Sequence, residues 1–533
     1  MTNRVNRRHF LQGAAALGAA GTFAPFSSVA FERDGNRKIL VFTGNQAVPV
    51  LDPHWRYDWS TRMIQQSVYD GLLKYVGTPP KIIPWLAEKY EMSPDGKTYT
   101  FTLVGNAKFH NGDPVDAEAV RYSFERALKM NAGVAWMLKA FLKPENIVAV
   151  DARTVKFTLD RPYAPFITYV PWWYIVNPKQ VKANEVDGDL GKKWMTEHEA
   201  GSGPFKLRRF DATSLIHMDT VPDYWNGWPM GEKNRLSGFI YRIIRESAPR
   251  KAALQRREVD VMAGVTPDDF QQMEKVPGVK MVNFPGFTSF GIKFNCQVGP
   301  TADVNVRKAI AYAFDYDAVL AIHNGMAELM TSPFPTPITG HVAVPDMPRR
   351  DMAKAKEYLK KSKYPDGGFE LEYVHVQGLE DPRRIGLSLL DALRQLDIKV
   401  NIVAQPWPTM TARAGKAETA PAMMSVYVTP VGTDPDTVAY QYHRNSWGLY
   451  YGVSHYENPA VWQLIADARG ETDTAKRMAM YAEIQKALVA DQPEIFCMMA
   501  NRIWGMRDYV RDFAYSPVRS TSEIDPYPLW IEA

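Results

Sequence analysis

Several acidic residues and histidines have spacings that could support metal binding or catalysis, but each group lacks a member that the chemistry requires. Asp187 and Asp189 resemble the first ligands of a calcium loop, yet the sixth position, where that loop needs glycine, holds Lys192. His443 and His455 lie in one region without further cysteine or histidine ligands beside them. The serine-hydrolase pattern GxSxG and the metalloprotease pattern HExxH are both absent. We therefore predict no catalytic residue, no bound metal and no cofactor.

Aromatic side chains give a second chemical signal, because Phe, Trp and Tyr make up 12% of the chain. They cluster at Trp172-Trp173-Tyr174 and again between Tyr427 and Tyr456. Core packing is the commoner use of such residues, but ligand pockets are also lined mostly by apolar and aromatic side chains. Both interpretations remain open at the level of the sequence.

The clearest local structure lies between Ser93 and Leu128. Apolar residues alternate with threonines over Thr98–Leu103, which predicts a half-buried strand. Turn residues follow at 111–114, and Asp116 is placed to cap a helix whose apolar residues share one face. The stretch therefore predicts a strand, a turn and a helix in that order.

The residues of this stretch also resemble a family signature. DGKTYTFTL followed by KFHNGDPVDAEAVRYSFERAL is similar to extracytoplasmic solute-binding protein family 5, the dipeptide- and oligopeptide-type binding proteins of ABC importers. Further blocks occur in the family's usual order: 201–205, 223–227, 294–295 and 306–315. The resemblance covers nearly the whole chain after the leader. It implies a mixed α/β (α+β) fold, namely a two-lobed, type II-like periplasmic binding protein clamp with two hinge crossovers and an extra subdomain in lobe one.

The expected domain organisation follows from this resemblance and from the pattern of strands and helices. Residues 1–30 form a signal peptide, 31–285 lobe one, 286–498 lobe two, and 499–533 the return to lobe one. The second lobe is predicted to alternate strands and helices, with strands at 369–376 and 398–403, helices at 352–359 and 384–396, a helical region at 302–325 and two helices within 457–492.

The leader predicts export. Asn6–Gln12 resembles a twin-arginine signal, an uncharged run rich in Ala and Gly follows, and Ser28-Val29-Ala30 fits a cleavage site. A buried or membrane-anchoring helix is the alternative, although the run is too short to span a bilayer, and a retained, uncleaved anchor also remains open. The predicted location is the periplasm, with the signal removed.

Composition agrees with an ordinary globular protein of 533 residues, 46% of them hydrophobic and 23% charged. Cleavage after Ala30 removes three arginines and no acid, which leaves a net charge of about +1 and does not favour binding to nucleic acid or to a membrane surface. The two cysteines, Cys296 and Cys497, are expected to be buried free thiols, with a single long-range disulfide as the alternative.

The resemblance also implies a ligand-binding cleft between the lobes. In peptide-binding relatives, a tryptophan at the position of Trp407 lines the cleft and a downstream arginine meets ligand carboxylates; Arg413 is the nearest match, one residue short in spacing. The relatives also place an aspartate four residues before a proline, where it neutralises the ligand's α-ammonium. Here Pro435 puts Val431 at that position. This departure is compatible with a ligand that has no free amino terminus, because a buried ammonium needs a paired carboxylate.

The predicted ligand-binding residues come from the first loop and from lobe two: Asn45, Gln46, Trp407, Arg413, Tyr427, Asp434 and Trp447. Asp434 has two open interpretations. It could anchor a ligand cation in place of the missing aspartate, or it could cap the helix that follows Pro435.

The function that the resemblance implies is a solute receptor that delivers its cargo to an inner-membrane ABC permease, as a monomer and without nucleic acid. Peptide is the leading cargo. An opine, a glutathione-like conjugate, an oligosaccharide and a metal chelate are alternatives within the same class. A secreted hydrolase and a periplasmic chaperone are alternatives of other classes.

Overall fold

The computed structural model describes residues 38–57, 59–449, 451–519 and 523–532. The predicted signal peptide at 1–30 lies outside the described residues. Two large sheets and one smaller sheet organise the described part of the chain.

The first large sheet has seven strands and draws them from both ends of the chain. In spatial order they are β12 (Val279–Phe284), β19 (Arg502–Arg507), β11 (Val261–Met262), β1 (Ile39–Gly44), β10 (Gly238–Ile243), β9 (Leu215–Thr220) and β8 (Phe205–Asp211). Strand β1 runs parallel to β10 and β11. Leu40 and Phe42 enter one apolar cluster and Val41 enters another, so both faces of β1 are covered, as its continuous hydrophobic sequence predicts.

The second large sheet has six strands, all from the later half of the chain. In spatial order they are β14 (Ala327–Leu329), β18 (Glu494–Ala500), β13 (Ser289–Phe294), β17 (Met423–Val428), β15 (Phe369–Val376) and β16 (Ile398–Gln405). Strand β15 is parallel to both β16 and β17, so the carboxyl ends of these three strands share one edge.

A four-stranded antiparallel sheet forms a subdomain of lobe one. Its strands are β4 (Ala87–Met92), β5 (Thr98–Leu103), β7 (Thr154–Thr158) and β6 (Ile147–Ala149). Tyr99, Phe101 and Leu103 are buried on one face of β5, and the Asp116 carboxylate accepts the Ala119 amide hydrogen bond at 2.9 Å. The predicted strand, turn and capped helix are therefore confirmed.

Helices cover the sheets. Those of the first lobe are α1 (Trp59–Val68), α2 (Ala117–Met130), α3 (Phe166–Tyr169), α4 (Pro178–Ala183), α5 (Ser247–Gln255) and α6 (Pro267–Met273). Those of the second lobe are α7 (Val304–Ala313), α8 (Tyr316–Ile322), α9 (Met352–Lys360), α10 (Glu380–Arg394), α11 (Trp407–Arg413), α12 (Asp436–Ala439), α13 (Pro459–Gly470) and α14 (Thr474–Asp491). Two short antiparallel pairs complete the fold: β2 (Leu73–Val76) with β3 (Lys81–Pro84), and β20 (Val510–Arg511) with β21 (Trp530–Ile531).

The chain crosses between the two large sheets twice. It leaves the seven-stranded sheet after Phe284 and enters the six-stranded sheet at Ser289; it returns between Ala500 and Arg502. Phe284 is the register partner of Arg502, and Ser289 is the partner of Met499, so the two connections run side by side. The predicted two-lobed fold with two crossovers is confirmed.

The predicted elements of lobe two differ from the observed ones mainly at their ends. Strand β15 has the predicted bounds, whereas helix α10 begins at Glu380, four residues before the predicted start. The helical region predicted at 302–325 is two helices, because Phe314 adopts an extended ψ of 138° and Asp315 then caps α8 by accepting the Ala318 amide at 3.0 Å. The apolar periodicity continues through this break, so pattern alone did not reveal it.

The structure also shows the state of the two cysteines and the character of the helices. Cys296 and Cys497 are both free thiols; Cys497 is buried and Cys296 is partly so. Within the described ranges, none of the helices combines the length and apolar character needed to cross a membrane.

Candidate ligand-binding cleft

The seven predicted site residues are divided between the lobes. Asn45 and Gln46 follow the carboxyl end of β1 in lobe one, and the hydroxyl of Tyr241 donates to the Gln46 carbonyl at 2.8 Å, which fixes this loop. The other five lie in lobe two. In open α/β sheets, ligands bind in the crevice outside the carboxyl ends of the parallel strands. The ends of β1 and of β15 to β17 thus define the candidate cleft.

Trp407 and Tyr427 differ in exposure. Trp407 is the first residue of α11, separated from the end of β16 by Pro406, and 38% of its surface is exposed. Tyr427 lies within β17, where its ring packs against Phe290 with the ring centres 4.8 Å apart. Trp407 therefore offers apolar surface to an incoming molecule, while Tyr427 is largely committed to its own lobe.

Arg413 is already paired within lobe two. Its Nη1 donates to Glu372 Oε1 at 2.9 Å, its Nη2 donates to Oε2, and its Nε donates to the Thr419 carbonyl at 3.0 Å. Hydrogen bonding to Glu372 raises the pKa of Arg413 above its ordinary value. A ligand carboxylate would have to compete with Glu372 for this guanidinium.

Asp434 also has internal partners. Its two carboxylate oxygens accept hydrogen bonds from Arg477 at 2.6 and 2.7 Å, and Oδ1 additionally accepts the Asp436 amide at 2.9 Å. The side chains of Asp434 and Arg477 are only 11% and 8% exposed. The structure thus joins Asp434 to the first amide of α12, although Pro435 is the N-cap residue, and adds an ion pair that the sequence did not suggest.

Trp447 lies half-buried against two other rings. It meets His455 and Trp462 edge-on, with each pair of ring centres 5.7 Å apart. Its indole Nε1 is buried without a hydrogen-bond partner among the described residues.

The loop that carries Val431 is held against lobe one. The indole of Trp172 donates to the Val431 carbonyl at 2.6 Å. The next residue, Gly432, approaches so closely that a Cβ there would lie 2.2 Å from Thr168 Cγ2 and 2.5 Å from the Tyr75 hydroxyl. The position at which the resemblance implies an ammonium-binding aspartate is therefore apolar here, in a loop that packs on the opposite lobe.

A second contact between the lobes is charged. Asp436 is fully buried, its Oδ1 lies 3.0 Å from Arg469 Nε, and its Oδ2 accepts a hydrogen bond from the Tyr163 hydroxyl at 3.2 Å. The Arg469 guanidinium also stacks over the ring of Tyr440 at 3.9 Å. Burial raises the pKa of Asp436, and Arg469 opposes that shift. This cluster joins the four-stranded subdomain to the helices of lobe two.

Sequence reasoning missed a polar cluster at the crossovers. The Nη2 of Arg502 donates to Oγ1 of Thr288 and, at 3.4 Å, to Oγ1 of Thr429, and these two hydroxyl oxygens are 2.6 Å apart. A signal was available, since Arg502 is a charged residue at the start of the otherwise apolar segment RIWGM.

Two cavities in lobe one are further candidate sites, and the larger, of about 200 Å³, is lined in part by Asp113 and Lys179. The smaller, of about 30 Å³ and lined in part by Asp70, Lys74 and Trp85, has room for about one water molecule. The described part of the chain contains no group of three or more His, Cys, Asp or Glu side chains arranged to hold a metal ion.

The two-lobed fold and the cleft between strand ends define an extracytoplasmic solute-binding protein. Residues 81–449 match the family model of the bacterial extracellular solute-binding proteins, family 5, and residues 4–24 match the twin-arginine translocation pathway signal. The chain belongs to solute-binding protein family 5. The predicted resemblance and the predicted export signal are thereby confirmed.

Relatives cover nearly all of the chain. The probable D,D-dipeptide-binding periplasmic protein of Escherichia coli K12 is 29% identical over 491 residues, which are 90% of this chain and 92% of the relative. The glutathione-binding protein of Pectobacterium atrosepticum is 26% identical over 453 residues, 84% of this chain and 85% of the relative. Among solved structures, the binding protein of A. tumefaciens R10 in complex with agropinic acid has a TM-score of 0.77 at 25% identity, covering 93% of this chain and 99% of the other.

These comparisons establish the class of the protein. It is the periplasmic substrate-binding protein of an ABC importer and is exported by a twin-arginine signal.

Proposed function

We propose that the protein binds a short peptide or peptide-like solute in the cleft and delivers it to an inner-membrane permease, as a monomer and without chemical turnover. The observation that carries this proposal is the end-to-end similarity to a probable D,D-dipeptide-binding protein. The exposed indole of Trp407 beside the carboxyl ends of three parallel strands supports it, because such surfaces bind apolar ligand groups.

The charges around the cleft restrict which ligands can bind there. Val431 supplies no carboxylate, and both oxygens of Asp434 are engaged by Arg477. A buried ligand ammonium would therefore lack a counter-charge at this place, and burying an unpaired charge costs much free energy. We propose that the cargo carries no free α-ammonium at this end, as in an N-acylated or cyclised peptide.

The lobes act as the two halves of a clamp in this proposal. Residues 31–285 with 499–533 form one half and 286–498 the other, and the paired connections at 285–288 and 501 provide the hinge.

Mass spectrometry of the ligand released from the purified protein is the direct test. The expected result is a mass and fragmentation pattern with amide bonds and a blocked amino end. Release of a sugar or a metal chelate would refute the peptide cargo but leave the assignment as a receptor intact. Conversion of the bound ligand at a catalytic rate would refute that assignment as well.

Export depends on the paired arginines of the leader. Replacing Arg7 and Arg8 together with lysine should leave the precursor in the cytoplasm, because the twin-arginine signal at 4–24 is read through this pair and directs the export of folded chains. Fractionation and immunoblotting measure the distribution, and the single change Arg4→Lys serves as the control. Normal periplasmic accumulation of the double variant would contradict this route.

Trp407 is expected to contribute to binding more than to folding. The change Trp407→Ala should weaken ligand binding about tenfold, as is common for a tryptophan at the centre of an interface. The unfolding midpoint should change little, because the side chain is already 38% exposed. Calorimetric titration and thermal unfolding measure the two effects.

Leu387→Ala provides the matched control for Trp407. Leu387 is an apolar residue on α10 that is 46% exposed and is not among the predicted cleft residues. It should leave binding unchanged. Equal effects of the two variants on binding would remove Trp407 from the cleft.

A further inference from the structure

Arg502 is a buried cation at the point where the chain returns to lobe one. It is the first residue of β19 and only 7% exposed. A guanidinium has five N–H donors. Nη2 donates to two threonine hydroxyls, a side-chain hydrogen bond links Arg502 to Tyr515, and the buried Nε has no partner among the described residues.

The charge of Arg502 has no carboxylate opposite it. Three other buried arginines do: Arg62 pairs with Glu523, Arg477 with Asp434 and Arg469 with Asp436. Buried Arg307 instead donates to several backbone carbonyls, whereas Arg502 has only hydroxyl acceptors. In the described part of the chain, no acidic side chain forms an ion pair with Arg502. A buried cation without a counter-ion is costly, so it calls for a partner that the chain does not itself provide.

The neighbouring phenol does not provide that partner. Tyr515 lies beside Arg502, but burial raises the pKa of Tyr515 to about 12, against the opposing effect of Arg502. The ring is therefore neutral at physiological pH and supplies no negative charge.

The cluster spans both lobes. Thr288 lies in the first crossover, Arg502 begins the strand after the second, and Thr429 directly follows β17 of lobe two. Thr429 is also two residues before Val431, in the loop that packs against Trp172. One of the two threonine hydroxyls donates to the other, so the cluster offers the hydrogen of the second hydroxyl together with the N–H groups of Arg502 that are not used.

We propose that Arg502, Thr288 and Thr429 form a subsite for a carboxylate group of the cargo, at the base of the cleft. The inference rests on the proposed receptor function and specifies that the ligand group bound near the hinge is negatively charged. A carboxylate matches the fork of the guanidinium and neutralises it. Because Arg502 and Thr429 belong to different lobes, an anion held by both favours the closed arrangement over the open one.

Stability without ligand gives the first test. If Arg502 were structural, Arg502→Gln should lower the unfolding temperature of the ligand-free protein. If Arg502 serves the subsite, the ligand-free Arg502→Gln protein should unfold at the same temperature as the wild type or at a higher one, because the change removes an uncompensated buried charge. A fall of many degrees in both Arg502→Gln and Arg502→Lys would overturn the proposal.

Binding gives the second test. The probes are N-acetyl-dialanine, dialanine, dialanine amide and succinate, titrated calorimetrically into mature protein freed of co-purified ligand. Arg502→Gln should weaken the binding of N-acetyl-dialanine and of succinate about 10- to 100-fold, which is the usual contribution of hydrogen bonds to a charged group. It should not change the binding of dialanine amide, which has no carboxylate. Arg502→Lys should fall between, since lysine keeps the charge without the fork.

Arg507→Gln is the matched control. Arg507 lies in the same strand, is 2% exposed and likewise has an unpartnered Nε, but its close neighbours Gly278 and Tyr509 belong to lobe one. It should bind every probe as the wild type does, whatever its effect on stability.

The outcomes separate the subsite from the peptide cargo. If succinate binding depends on Arg502 while no peptide binds, the subsite stands and the cargo proposal fails. If peptides bind the wild type and Arg502→Gln equally, the receptor stands and the subsite fails. The absence of any difference between these two proteins with all carboxylate probes, including absence of binding to either, overturns the subsite.

Discussion

Replacing Asp434 with asparagine should lower the free energy of unfolding by about 3–5 kcal/mol, the usual cost of removing one partner of a buried ion pair. The guanidinium of Arg477 would keep its charge but lose both carboxylate oxygens, which now lie 2.6 and 2.7 Å from its donors. The remaining acceptors of Arg477, the Ala468 carbonyl and the Tyr481 hydroxyl, are neutral and cannot replace the charge. Urea denaturation followed by fluorescence and circular dichroism measures the change.

An aspartate at the start of the helix that carries Arg477 provides the control. Asp473 caps α14, the helix that carries Arg477, and accepts the Lys476 amide at 3.0 Å. Asparagine caps helices about as well as aspartate, so Asp473→Asn should cost less than about 1 kcal/mol. If Asp434→Asn instead unfolds like the wild type and selectively weakens cationic ligands, Asp434 is a ligand anchor and the pair with Arg477 is dispensable.

Acidification should destabilise lobe one through His54. This ring is fully buried; its Nε2 donates to the Tyr174 carbonyl at 2.9 Å, and its Nδ1 accepts from Arg126 at 2.9 Å. Protonation would place a hydrogen on Nδ1, directly facing the guanidinium. Burial, followed by the charge of Arg126, lowers the pKa of His54 from 6.5 to about 4.

The sign of the effect follows from proton binding. In the unfolded chain His54 takes up a proton near pH 6.5, whereas in the folded protein it does so only near pH 4, so the unfolded state binds more protons between these values. Stability contributed by the neutral ring is fully present above pH 6.5 and is lost as the pH falls towards 4, by about 3 kcal/mol in total.

Unfolding curves across this range measure the slope. His54→Gln should reduce the pH dependence in this window. Parts of the slope remain from His443, His341 and His455, whose pKa values burial also lowers, and from His110, whose pKa Glu199 raises against the effect of burial. The exposed His198 serves as the control, and His198→Gln should leave the slope unchanged. An unchanged slope in His54→Gln would show that the ring titrates freely in the folded protein.

The features that the sequence could predict are those set by residues close together along the chain. Strand β5, the Asp116 cap and strand β15 depend on alternation, turn residues and capping within a few positions, and they lie where the pattern placed them. The break between α7 and α8 escaped prediction because the apolar spacing runs through it, while the conformation of Phe314 ends the first helix.

The charge partners of the candidate site could not be predicted in the same way. Arg413 pairs with Glu372, 41 positions away, and Asp434 pairs with Arg477, 43 positions away. No periodicity relates residues at such separations; only the folded arrangement of β15, α11 and α14 brings them together. The same holds for Arg502, whose hydroxyl partners lie 214 and 73 positions earlier. The assignment of Arg413 and Asp434 to the ligand stays a prediction, and both now have competing partners within the protein.

The interior position of β19 in the seven-stranded sheet has a consequence for the order of events during synthesis. This strand lies between β12 and β11 in the sheet that begins with β1, yet it is made about 460 residues after β1. At roughly 5–20 residues per second, the ribosome needs about 25–90 s to supply it. The export signal therefore leaves the ribosome long before the first lobe can complete its sheet. A translocation route that accepts folded chains suits this delay, because export through the leader then begins only after β19 has joined the sheet of lobe one.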